Sequence, residues 1–291
     1  MRYGWAALAL LGLSGGAEAR QHYPARGHRI VAANAAPLDG FTQPSGAYSF
    51  RKLRSAYTGP AIRIRRASDN AEVDINFLGC TGFTGCPWDE AAAAAHCAAT
   101  TCFGRWWYDQ SGAARDIGHA TAANQPQLVF NCKGSLPCWR LTSNVQLMQS
   151  AGTMPPVAPV SLNIVAARTS GTTNACFFRT SGAASNSLGQ RAGAVGHSLG
   201  GSAGTVVNSA PEGAWHTATG IVNGASSSLA YDGNAAISGS VTTATTAGIT
   251  GLFGGAATTC DWGEIIAWSA YGITAPEVAV LTANQQSFWG L

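Results

Sequence analysis

Apolar and polar positions alternate with a period of two along much of this chain, and that period puts successive side chains on opposite faces of a strand. Ala61 to Arg66 shows it plainly: Ile62 and Ile64 point to a core, Arg63 and Arg65 to water. Phe103 to Tyr108 reads as an aromatic strand with Trp106 and Trp107 on opposite faces. Val157 to Ala167 and Ala175 to Arg179 read as core strands, and Cys260 to Ser269 as the last one. From Trp215 a meander is predicted: His216 to Asn223, a turn at Gly224, Ser228 to Tyr231, a turn at Asp232-Gly233-Asn234, then Thr- and Gly-rich strands to Phe253. Asp-Gly between strands is a strong hairpin signal, because both central positions of such a turn take positive φ. Helical patterning is confined to two places. Trp88-Asp89-Glu90 and the alanines after it predict a short helix ending near Cys97, with acids at its positive end. Thr274 and Glu277 form a capping box ahead of Val278 and Leu281. Tyr48 to Tyr57 fits either a short helix or an irregular edge. The predicted fold is all-β, an antiparallel β-sandwich with short helices, one of them C-terminal.

Composition agrees with that reading. The 291 residues are 11% charged and include 36 glycines, which fits an exported, turn-rich protein better than a helical cytosolic enzyme. Met1 to Ala19 reads as a secretory signal, with Arg2 before an apolar stretch and Ala17-Glu18-Ala19 as the cleavage site. Residues 20–44 lack periodicity and are expected to be an arm or linker, with the folded domain at 45–291. No later stretch reaches the roughly 18 apolar residues of a membrane-spanning helix, so no membrane span is expected. A formal charge of +3 gives no reason to expect a nucleic-acid partner. Six of the 17 Lys and Arg residues fall between Arg51 and Arg66, where a solvated strand face is the simpler reading than an anionic-glycan patch. A secreted monomer without cofactor is expected.

Eight cysteines in an exported chain favour disulfides. Spacing proposes Cys80 with Cys86, Cys97 with Cys102 and Cys132 with Cys138, leaving Cys176 to meet Cys260. A zinc site would need a different pattern; no Cys-x2-Cys pair occurs and the histidines are scattered, so no metal is expected.

Three segments carry a resemblance: Cys97 to Phe130, with Cys-x4-Cys, an aromatic strand and Tyr108-Asp109-Gln110-Ser111-Gly112; Tyr48 to Asp69; and Asn174-Ala175-Cys176-Phe177-Phe178. Together they resemble the catalytic sandwich of the α-L-arabinofuranosidases of glycoside hydrolase family 54, within the concanavalin- and laminin-G-like jelly rolls. The resemblance implies a carbohydrate-active protein for arabinose-containing or related polysaccharide. It places Cys176 and Phe177 as candidates for contacting sugar. Separately, Trp106, Trp107, Trp139, Trp215, Trp262 and Trp268 could stack on sugar rings, most of them being expected in the core, and Trp215 is the candidate among them. The same turn in lectin-like domains implies the alternative of a non-catalytic glycan-binding or adhesion module.

A glycosidase needs two carboxylates, roughly 5–5.5 Å apart if it retains configuration and farther apart if it inverts. The family's nucleophile lies in a Gly-His-Met-Glu-like context, and Asn186 to Ser202 here contains no acid. Its acid/base follows a Gly-Gly pair, and Gly254-Gly255 is followed here by Ala256, with Asp261 farther on. Its vicinal cysteines become Cys176-Phe177. The remaining candidate carboxylates are Asp232, Asp261 and Glu212. Asp261 and Glu264, three apart on a strand, fall on opposite faces unless a bulge intervenes, and Asp109 is expected to bond its own turn. Finally, Gly196-His197-Ser198-Leu199-Gly200 matches the G-x-S-x-G elbow of serine hydrolases, making Ser198 the nucleophile of a third reading, an esterase. That reading requires a strand-turn-helix around Ser198.

Overall fold

The computed structural model describes residues 36–79, 86–143, 147–155, 157–170, 176–180, 186–190, 197–208, 213–243, 249–253 and 258–291. Strands β1 (Gly46–Ser49), β2 (Ile62–Arg66) and β3 (Glu72–Ile75) precede helix α1 (Glu90–His96). Next come β4 (Cys102–Trp107), β5 (Ile117–Gly118), β6 (Gln127–Lys133), β7 (Leu136–Leu141), β8 (Leu147–Thr153) and β9 (Val160–Ser170). Four short strands follow: β10 (Cys176–Arg179), β11 (Ser187–Gln190), β12 (His197–Gly200) and β13 (Thr205–Val207). The meander is β14 (Trp215–Val222), β15 (Gly224–Tyr231), β16 (Ile237–Val241) and β17 (Ile249–Phe253). β18 (Thr259–Trp268) and helix α2 (Ala275–Trp289) close the chain's described part.

All pairings are antiparallel. One layer runs β16–β15–β14–β9–β18, and the far edge of β18 meets β7 along Cys260–Trp262 and β1 along Glu264–Ala267. The other runs β13–β12–β11–β10–β17–β8–β5–β4–β2–β3. Single pairs, Ala203 with Thr242 and Phe103 with Gln127, link the layers at their edges, so the sandwich is nearly closed. Phe178, Leu188 and Leu199 of one layer and Ala218, Leu229 and Trp262 of the other are buried in a common core. Trp107, Trp139, Trp262 and Trp268 are fully buried, so four of the tryptophans serve packing rather than ligand contact.

Helix α2 lies on the outer face of β14 and β18. Its Thr274–Glu277 capping box is formed in both directions, and Trp289 packs over Gly263, where a Cβ would stand 2.5 Å from the indole. Gly263 also marks a bulge in the β18–β9 register, between Trp262 and Glu264. Beneath α2 a charged brace is sealed from water. Arg51 donates from Nε and Nη2 to the Glu264 carboxylate at 2.7 and 3.0 Å, and Ser49 Oγ and Gln285 Nε2 donate to the same carboxylate. Burial alone would raise the Glu264 carboxyl; the Arg51 guanidinium and the bonds from Gln285 and Ser49 outweigh it and hold the carboxyl below its usual range.

The Asp-Gln-Ser-Gly turn acts as a clasp. The Asp109 carboxylate accepts from the Ala47, Ser111 and Arg115 amides and from Ser111 Oγ, while Gln110 bonds the backbone of Ser49, Arg51 and Leu53. Gly112 takes φ of +88°, which a side chain would resist. This motif therefore fixes β1 to the turn after β4, in line with the expectation that Asp109 bonds its own turn.

Several expectations change. Residues 36–44 of the expected arm pack on the domain: Leu38 is fully buried, Phe41 packs against Trp268, and Trp268 Nε1 donates to Thr42 O. Tyr48 to Tyr57 is neither helix nor plain edge at its start, since Tyr48 and Ser49 lie in β1. The basic stretch is not an open patch. Arg51 is buried, Arg65 is 8% exposed on Gln125 and Asn70, and Arg63 and Arg66 pair with Asp74 and Asp69. Among the described residues no helix is long and apolar enough to cross a membrane.

Candidate functional site

Three disulfides follow the spacing: Cys97–Cys102, Cys132–Cys138 and Cys176–Cys260, each with Cα atoms 5.7 Å apart. Cys86 is also disulfide-bonded, and Cys80, its expected partner, lies outside the described residues. The Cys176–Cys260 bond joins the start of β10 to the start of β18, tying the two layers together at one end.

Strand register brings further groups to that end. Cys176 pairs with Gln190, Gln190 with His197, Cys260 with Arg168, and Trp215 and Asp261 both with Ala167. Here His197 lies with its ring 5.3 Å from that of His216, edge to face, and stacked on Tyr231 at 5.9 Å. His216 Nδ1 donates to the Asp232 carboxylate at 2.5 Å, and the Thr217 amide donates to the other oxygen at 3.0 Å. The hairpin turn makes this possible. Asp232 and Gly233 both take positive φ, so the turn folds the carboxylate back over the first residues of β14. Gln190 Nε2 bonds Ala166 O and approaches His197 Nε2 at 3.4 Å.

Burial pushes His197 down to a pKa of about 4, and the neighbouring His216 adds to the effect against the opposing pull of Asp232 and Asn208. His197 is therefore a neutral ring at ordinary pH. Of this group Asp232 reaches solvent, its side chain 26% exposed, whereas His216 is buried behind it. Asp232 fixes the imidazole's orientation, an arrangement able to bond a hydroxyl or hold a proton. Sequence reasoning named Asp232 as a hairpin residue and a candidate carboxylate and placed His216 only at the start of a strand; the meander pattern carries no sign that β12, β14 and the β15–β16 turn converge.

The other candidates separate from this group or flank it. Asp261 is 1% exposed and its carboxylate receives both Nε and Nη2 of Arg140 at 2.7 Å, so it braces β18 against β7. The bulge at Gly263 sets Asp261 and Glu264 opposite Ala167 and Val165, two apart and so on one face of β18, but each carboxylate is held by its own arginine. Trp215 is half-buried at the rim, with one ring face stacked on Trp289. Phe177 is half-buried, with the Arg179 guanidinium 5.7 Å from its ring centre. Glu212 lies outside the described residues. Ser198 stands inside β12, paired with Gly189 on one side and Val207 on the other. An elbow needs a strand-to-helix turn at the nucleophile, and His197–Gly200 of the G-x-S-x-G match is extended strand instead. Cys132, Cys138 and Asp261 form the one metal-donor grouping among the described residues, but its sulfurs share a disulfide and its carboxylate holds Arg140.

Residues 39–132 match the family described as alpha-L-arabinofuranosidase B, catalytic. The chain resembles that catalytic domain. Among solved structures, a family 54 α-L-arabinofuranosidase soaked with a cyclic sulfate inhibitor superposes with a TM-score of 0.63 at 17% identity, covering 83% of this chain and 62% of that one. An arabinofuranosidase complexed with arabinofuranosyl-α-1,2-xylobiose gives 0.59 at 17% identity with the same coverage. The arabinofuranosidase-like chain thus spans about three fifths of the length of these proteins, and the likeness establishes a shared fold. No curated protein matches it in sequence. The family match ends upstream of His197, His216 and Asp232, and covers the clasp at Asp109 and the Cys97–Cys102 loop.

Proposed function

We propose that this chain is an exported, carbohydrate-active domain that recognises arabinose-containing or related polysaccharide at the Trp215–His216–Asp232 end of its sandwich. The match of residues 39–132 to the arabinofuranosidase B catalytic family carries this reading, with the shared sandwich in its support. Recognition without hydrolysis is the form we favour. Of the two described carboxylates at this end, Asp261 is bound to Arg140 and Asp232 to His216, so neither stands as the partner of a second acid across a sugar.

A second reading, hydrolysis, draws on the Asp232–His216 pair, with Glu212 as the further acid. Incubation with 4-nitrophenyl α-L-arabinofuranoside at high protein concentration separates the two. The favoured reading expects no release of 4-nitrophenol above the uncatalysed rate. Turnover that disappears in Asp232→Asn or Glu212→Gln would instead establish the hydrolase.

A further inference from the structure

Helix α2 presents two faces. Leu281, Gln285 and Trp289, four residues apart, are buried against the sheet. Ala275, Val278, Ala279, Thr282, Ala283 and Gln286 keep the same helical period a step round the axis and line a cavity of about 440 Å³. Ile221, Ser228 and Ala230 of β14 and β15 form its floor, and residues 233–236, after the Asp232 turn, form the opposite wall.

Two sets of bonds hold the walls apart. Gln285 accepts from Thr217 Oγ1 and donates to Asn163 Oδ1 and the Glu264 carboxylate, and Trp289 sits over Gly263, so α2 is pinned over β14 and β18. The opposite wall is fixed through Asp232, whose carboxylate is held by His216 and the Thr217 amide, and through the Asn234 amide on Tyr231 O. Neither wall can close on the other without breaking these bonds, and the alanines between them are too short to fill the gap. The cavity is therefore preformed, as small-molecule sites usually are.

Size and chemistry define the occupant. The volume is about three times the ~150 Å³ that accepts a benzene ring, which suits a molecule of about two rings. No Asp, Glu, Lys, Arg or His lines it, so a charged ligand would give up hydration without meeting a counter-charge. A neutral apolar ligand gains by releasing water from the walls. One polar group stands ready: Gln286 Nε2 donates to Asp232 O, which leaves the Gln286 amide oxygen to accept from a hydroxyl. A helix and a strand pair with short side chains bound a slot, which fits a planar ring system better than a branched chain.

We propose that this slot is a binding site for a neutral, fused-ring aromatic alcohol, its rings between α2 and β15 and its hydroxyl on Gln286. The site is separate from the Trp215–His216–Asp232 end and does not depend on glycan recognition there.

An NMR titration of the isotopically labelled full chain with 1-naphthol near neutral pH tests it, with 1-naphthoate as the charged counterpart. Saturable shifts are expected at Ala230, Gly233, Ala279 and Ala283, and 1-naphthoate is expected to bind about tenfold more weakly or worse, since its charge finds no partner. Ala283→Leu on α2 and Ala230→Leu on the floor each fill part of the slot, and each is expected to weaken 1-naphthol about tenfold or more. Ala283 is exposed and leucine is a good helix former, so Ala283→Leu carries the comparison if Ala230→Leu fails to fold. No saturable shifts, shifts centred elsewhere, equal affinity for 1-naphthoate, or unchanged affinity in Ala283→Leu overturns the proposal. Sedimentation at the same concentrations deals with the other occupant: the unaltered chain is expected to be monomeric, and self-association abolished by Ala283→Leu would assign the slot to a second copy and overturn the proposal as well.

Discussion

His197 gives the candidate end of the sandwich a defined response to acid. Its ring is buried between His216 and Tyr231, and its pKa falls to about 4 in the folded chain against about 6.5 when exposed. Between those values the unfolded chain binds the extra proton and the folded chain does not, so stability is full above pH 6.5 and is lost as pH falls towards 4. The expected outcome is a thermal midpoint that declines over this window and declines less in His197→Gln. An identical pH slope in the two proteins would show that His197 is not buried as a neutral ring. At this scale sequence reasoning reached the local roles and missed the distant ones. Asp109 bonds its own turn because the acceptors lie within a few residues. The Arg51–Glu264 pair spans 213 residues, and no local pattern marks it.

Elements were more legible than residues, because period and caps are local properties. The strands over Ile62–Arg66 and Cys102–Trp107 follow from alternation and aromatic content, and α2 begins where Thr274 and Glu277 require. Residues 36–44 were misread as an arm since Leu38 and Phe41 gain their partners only when Trp268 and Leu281 arrive from the other end of the chain. Ser198 shows the reverse error, a motif match that strand pairing on both sides makes irrelevant. The capping box makes α2 testable as a unit. Thr274→Ala removes the side-chain bond to the third helical residue and one of the three donors to the Glu277 carboxylate, which keeps the Thr274 amide and the Tyr271 hydroxyl, and a loss of about 1 kcal/mol is expected in chemical denaturation. No change would mean that packing of Trp289 over Gly263 alone seats the helix.

At the scale of the whole molecule, a nearly closed sandwich brings its two layers together at one end. The Cys176–Cys260 disulfide closes a loop of 84 residues there, and chain-entropy reasoning credits such a loop with about 4.5 kcal/mol. At that end Trp215, Tyr231 and Asp232 are part-exposed around the buried His216. The function of this end was readable only through the resemblance, since the convergence of strands β9, β11, β12 and β14 is a property of the sheet order and not of any segment. The most direct measurement is an NMR titration of the isotopically labelled chain with a neutral arabinofuranosyl oligosaccharide. Saturable shifts centred on Trp215, His216, Tyr231 and Asp232 are predicted. No saturable shifts, or shifts confined to other parts of the sandwich, would contradict the assignment of glycan recognition to this end.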